Sequence, residues 1–130
     1  MAEYTLDKKE RLNSKAVIER LFAGGSKSFP SYPLRVVYMP QESDEKDVPA
    51  ASILISVPKK RFKRAVKRNL VKRQVREAYR KNKHLLLDAL SSKNKRLVLA
   101  FIWLDNNIHS SAEVEEKVKK LLLHIAEKLE

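Results

Sequence analysis

Residues 96–104, RLVLAFIWL, constrain the fold of this chain more than any other stretch. Every side chain after Arg96 is apolar, and Val98, Phe101, Ile102 and Trp103 are β-branched or aromatic. A half-buried strand alternates apolar and polar residues, whereas an unbroken apolar run of this length reads as a central strand covered on both sides. The rest of the chain has to supply its neighbours.

Those neighbours can be read from periodicity. Residues 34–39 and 51–57 are β-rich, with Ile53, Ile55 and Val57 on one face of the second strand. The acidic, polar residues 40–49 form a surface loop between what should be two antiparallel strands. Residues 26–33, rich in Ser and Pro, suit an irregular passage or a short edge strand. Asn13 or Ser14 can cap a first helix whose apolar face is Val17, Ile18, Leu21 and Phe22, and Gly24-Gly25 end it. Ser110-Ser111-Ala112-Glu113 is a capping box. It opens a last amphipathic helix with Val114, Val118, Leu121, Leu122, Ile125 and Leu129 facing inward. The expected fold is a small α+β domain over residues 1–130, with 1–11 frayed. Its order is helix, strands, basic helix, strand, helix around a mostly antiparallel sheet.

Charge bears on function. The chain carries +12, and 13 of its 28 Lys and Arg lie between residues 59 and 83 with one acid, Glu77. The remaining 105 residues balance 15 basic against 15 acidic side chains. The whole excess is thus one segment mounted on a neutral domain. A solvated face usually mixes signs, so a block of one sign points to a polyanionic partner. No apolar run approaches the roughly 20 residues that span a bilayer, and the N-terminus has no apolar signal core. A cytoplasmic protein with no membrane partner is expected. The absence of cysteine excludes disulfides, zinc knuckles and thiol chemistry.

From about Lys63 the basic segment turns helical, to about Lys83 and as far as Leu90 if nothing breaks it. Stepping about 100° per residue from Ala65 puts Lys72, Arg76, Asn69, Arg80 and Arg73 within an arc of roughly 100°. Val71, Val75 and Ala78 form the inward face, while Val66 and Leu70 fall elsewhere and suggest packing on a second side. A row of cations at the helical pitch can follow successive phosphates, and arginine adds two-pronged hydrogen bonding.

Ser56-Val57-Pro58-Lys59-Lys60, then Ala65-Val66-Lys67-Arg68-Asn69, Lys72-Arg73 and Arg76-Glu77-Ala78-Tyr79-Arg80 resemble the signature of the ribonuclease P protein family. The resemblance runs over nearly the whole chain. It departs in three places. Arg61-Phe62-Lys63-Arg64 makes the turn one residue longer, without the usual glycine; Leu70 stands where a second arginine is common; and Ile18 replaces an aromatic. The resemblance implies the family's αβββαβα fold, like that of some ribosomal proteins. It implies an auxiliary subunit of an endoribonuclease whose RNA subunit removes the 5′ leader of precursor tRNA with magnesium. The protein itself is expected to hold no cofactor and no metal and to need no protein partner. By position, the RNA-contact residues are Lys59, Lys60, Lys63, Arg64, Arg68, Asn69, Lys72, Arg73, Arg76 and Arg80. Phe22 and Tyr38 are candidates for a leader cleft; core packing suits Phe22 equally, while for Tyr38 the cleft is slightly favoured.

No protein-borne catalytic group is expected. His84, His109 and His124 are scattered in sequence, and Glu77 is placed to pair with Arg73, Arg80 or Lys81 one turn away. No Gly-rich phosphate loop occurs. Two other classes fit the composition: a ribosomal or assembly protein that binds structured RNA, and a basic-helix DNA binder. The second would present a projecting helix on a dimer.

Overall fold

The computed structural model describes residues 10–12, 14–41 and 50–129. The candidate cap Asn13, most of the N-terminal residues expected to fray and residues 42–49 of the expected acidic loop lie outside them. The elements are α1 (Lys15–Phe22), β1 (Lys27–Ser31), β2 (Leu34–Pro40), β3 (Ala51–Ser56), α2 (Ala65–Asn82), α3 (His84–Ser92), β4 (Leu97–Trp103) and α4 (Ser111–Lys128).

The four strands form one sheet in the order β1-β2-β4-β3. β4 is interior and nearly fully buried, as its unbroken apolar run requires. It pairs antiparallel with β2 and parallel with β3. β2 and β3 run in opposite directions, as expected, but they are not neighbours: β4 lies between them. The connection from β3 to β4 is therefore a crossover, and it contains the basic helix.

Each face of the sheet has its own core. On one side Leu34, Val36 and Tyr38 of β2, Ile53 of β3, and Leu97, Leu99, Phe101 and Trp103 of β4 meet the apolar faces of α2, α3 and α4. On the other, Val98 and Ala100 meet Leu12 and Leu21, flanked by Val17, Ile18, Val37, Met39 and Leu54. Ser14 caps α1, its Oγ accepting from the Val17 N–H at 3.5 Å. Ser110 caps α4 in the same way, accepting from Glu113 at 3.2 Å.

The basic helix α2 ends about where its pattern places it, at Asn82 and not at Leu90, and α3 follows as a separate helix from His84. The junction is Lys83, only 3% exposed, whose Nζ donates to both carboxylate oxygens of Glu10 at 2.9 and 3.0 Å. A lysine carried inward at the junction of the two helices finds its counter-charge there, since burying it alone would be costly. A second expectation about the basic helix needs correcting: Val66 and Leu70 do not pack on a second side; they are 78% and 41% exposed.

Candidate RNA interface

The interface begins where β3 ends. Pro58 stops the strand, and its carbonyl accepts from the Arg61 N–H at 3.0 Å, closing a turn that presents Lys59 and Lys60 to solvent. Phe62 is buried and anchors the turn in the core. The turn has no glycine, and Arg68 braces it: its Nη1 donates to the carbonyl oxygens of Phe62 at 2.8 Å and Lys63 at 2.9 Å. The first turn of α2 thus folds back on its own entry, where Arg64 offers no side-chain cap.

From there α2 is pinned along one side. Val71, Val75 and Ala78 are buried, with Tyr79 beside them, and the helix packs on α4 and β3. Gln74 adds a lateral tie, its Nε2 donating to the His109 carbonyl at 2.9 Å and to Ser111 Oγ at 3.3 Å. Away from that face Lys63, Arg64, Lys67, Asn69 and Arg73 are exposed, and Lys72, Arg76 and Arg80 are half-buried. The residues expected to form one stripe therefore do share the solvent side of a fixed helix.

Not every cation of the segment is offered equally. Lys83 is turned inward, and Arg61 Nη1 reaches Asn106 Oδ1 at 3.4 Å. Arg68 braces the turn, and Arg80 donates to Glu77 at 2.8 Å, which holds the Glu77 carboxyl below its ordinary range. That last pair is one of the three expected for Glu77.

The two aromatic candidates are separated by the sheet. Alternation along β2 sends Leu34, Val36 and Tyr38 to the side of α4. Arg35, Val37 and Met39 go to the side of α1. Tyr38 is 6% exposed, and burial raises its hydroxyl pKa. Phe22, at the end of α1, is 47% exposed on the opposite face. They cannot line one cleft, and Tyr38 is a core residue. On the face of Phe22 the register aligns Pro30, Arg35, Ile102 and Ser56 in a row across all four strands. Arg35 is exposed, and Ser56 leads into the Lys59-Lys60 turn. The alternation around Arg35 carried the signal for this face, whereas the pairing of the strands that completes the row did not show in the sequence.

The model of the family described as Ribonuclease P matches residues 6–126. The chain is also 46% identical over 123 residues to the ribonuclease P protein component of Porphyromonas gingivalis, covering 95% of this chain and 88% of that protein. This chain belongs to the ribonuclease P protein family. A ribonuclease P protein component from Chlorobium phaeobacteroides is 40% identical over 83 residues, 63% of this chain and 56% of the relative. Two solved ribonuclease P proteins share the fold. The one from Thermotoga maritima superposes with a TM-score of 0.69 at 23% identity, covering 88% of this chain and 96% of that one. The one from Staphylococcus aureus gives 0.65 at 21%, covering 90% and 94%. Membership makes the chain the protein component of an endoribonuclease of tRNA processing with an RNA partner. It sets aside the ribosomal and DNA-binding alternatives.

One charged cluster escaped the sequence reading of this ribonuclease P protein. The His109 ring lies between two carboxylates, Nε2 2.6 Å from Asp105 and Nδ1 2.9 Å from Glu113, with its edge toward Trp103. Hydrogen bonds to Glu113 and Asp105 raise its pKa, and the bond from His109 holds Asp105 down to about 2. The spacing of four residues on either side was the available signal. His124, by contrast, stacks on Phe29 at the sheet edge, a boundary position as expected. Among the described residues no three His, Asp or Glu side chains stand together as metal ligands, and no helix is long and apolar enough to cross a membrane.

Proposed function

We propose that this chain grips the RNA subunit of ribonuclease P with the Lys59-Lys60 turn and the outer side of α2, and holds the 5′ leader of precursor tRNA on the α1 side of the sheet. The observation that carries the reading is the mounting of the charge. Lys59, Lys60, Lys63, Arg64, Asn69, Lys72, Arg73, Arg76 and Arg80 ride on a turn and a helix whose opposite face is buried. A pinned array can match one arrangement of phosphates, whereas a loose polycation matches all of them equally. Arg68 acts mainly by shaping the turn. The row of Arg35, Ile102 and Ser56 with Phe22 offers a cation, apolar surface and a hydroxyl to a single strand. Magnesium belongs to the RNA subunit and supplies the hydrolytic chemistry there. The protein's own residues bind, orient and neutralise phosphate, in the cytoplasm and without a further protein partner.

The test uses the full chain, the RNA subunit of the same organism and a precursor tRNA, with magnesium throughout. RNA and protein together should release the leader at one site and bind precursor more tightly than the RNA alone. Protein without RNA should cleave nothing. Site-specific cleavage by protein freed of RNA would overturn the proposed division of labour.

A further inference from the structure

Val66 and Leu70 are the large apolar side chains of α2 that the fold leaves in solvent. Four residues apart, they adjoin on the helix surface and form one ridge. The positions three residues to either side of them are Lys63, Lys67, Asn69 and Arg73, all exposed. The ridge is thus an apolar strip inside the most basic part of the surface. Its surroundings decide what can cover it. A second copy of this chain would press like charges together around the contact. An RNA strand brings phosphates for the surrounding cations and, between them, apolar base faces. An interface with an apolar centre and a polar rim is the ordinary pattern of a specific contact.

We infer that Val66 and Leu70 receive the face of an unstacked nucleobase of the RNA subunit, between phosphates held by Lys67 and Arg73. The inference rests on the RNA-binding reading above and adds a contact that charge cannot supply. It gives the interface a component that does not weaken with salt, because no counterion is released when a base meets an aliphatic side chain.

The experiment measures the affinity of the full chain for the RNA subunit across a series of salt concentrations. It compares wild type, V66A/L70A and R76A. Alanine favours the helix over valine and at least equals leucine, so α2 is retained. V66A/L70A should bind about five- to tenfold more weakly at every salt concentration with an unchanged salt slope, the lower end for loss of a base contact. R76A should reduce the slope by about 1. An abasic scan of the RNA should find a nucleotide whose base matters to wild type and not to V66A/L70A. Equal affinity of V66A/L70A and wild type overturns the ridge contact while leaving the RNA-binding reading intact. A wild-type dimer that V66A/L70A abolishes also overturns it, in favour of a second copy. A wild type that binds the RNA subunit no better than unrelated RNA overturns both readings.

Discussion

The Arg68 guanidinium donates through one nitrogen to the carbonyl of Phe62, six residues back, at 2.8 Å, and to that of Lys63 at 2.9 Å. Phe62 is buried, so the bond ties the start of the basic helix to the core through the turn that carries Lys59 and Lys60. The longer, glycine-free turn is stabilised by a residue that sequence position alone assigns to RNA.

Arg68→Ala should therefore lower stability by about 1–3 kcal/mol, the range for losing hydrogen bonds from a charged donor. Arg73→Ala, on an exposed position of the same helix, should stay within about 0.5 kcal/mol. Urea unfolding of both variants measures this. An unchanged midpoint for Arg68→Ala would show that the turn holds without its brace.

Position within α2 should matter more than charge count. Arg76→Ala should weaken assembly with the RNA subunit tenfold or more, about 1.5–3 kcal/mol. Lys81→Ala, off the stripe, should cost well under about 1 kcal/mol. Wild-type affinity should fall about 10³- to 10⁵-fold between roughly 50 and 200 mM salt. Equal losses for the two variants in filter binding would mean that the segment acts as a charged tether.

The His109 cluster gives stability a pH window. Its folded pKa is raised above the ordinary 6.5, so its contribution is complete below that value and is lost as pH rises through the folded pKa. Asp105 is depressed from 3.8 to about 2, so its contribution is present above 3.8 and is lost toward pH 2. Stability should be greatest between these limits and decline as pH rises above 6.5 through the folded pKa of His109. His109→Gln should flatten the alkaline decline in thermal melts taken from pH 5 to 9. A wild-type decline that survives the substitution would place its origin elsewhere.

Tyr38 and Phe22 should part company when truncated. Tyr38→Ala opens the larger core and should cost about 3–5 kcal/mol. Phe22→Ala should cost about 1 kcal/mol or less, with its larger effect on the holoenzyme's affinity for precursor tRNA. Denaturation and precursor binding, measured on both proteins, separate the roles. A Phe22→Ala protein that binds precursor normally would remove Phe22 from the leader surface.

The legible parts of this fold were those that burial dictates locally. β4 had to be interior, and Val71, Val75 and Ala78 had to face inward, because only tertiary cover stabilises such runs in water. The neighbours of β4 were not legible, since β2 and β3 carry the same alternation whether they pair with each other or flank a third strand. The break at Lys83 left no glycine or proline to mark it, and the Glu10 carboxylate that receives the buried lysine is distant in sequence. The stripe on α2 could be placed from its spacing. Which cations turn back to serve the protein, as Arg68 does, depends on a turn whose shape exists only in three dimensions.

Among the described strands β3 pairs with β4 alone, Arg11 adding an isolated bridge to Ile53, and residues 57–96 separate β3 from β4. A chain synthesised from its N-terminus therefore releases its thirteen clustered cations before β4, and before the helix α4 on which α2 packs, have been made. Until α4 emerges, the buried side of the basic helix lacks the element it chiefly packs on. The clustered charge is fixed in place late in the life of the nascent chain, when the last helix closes against the one that carries it.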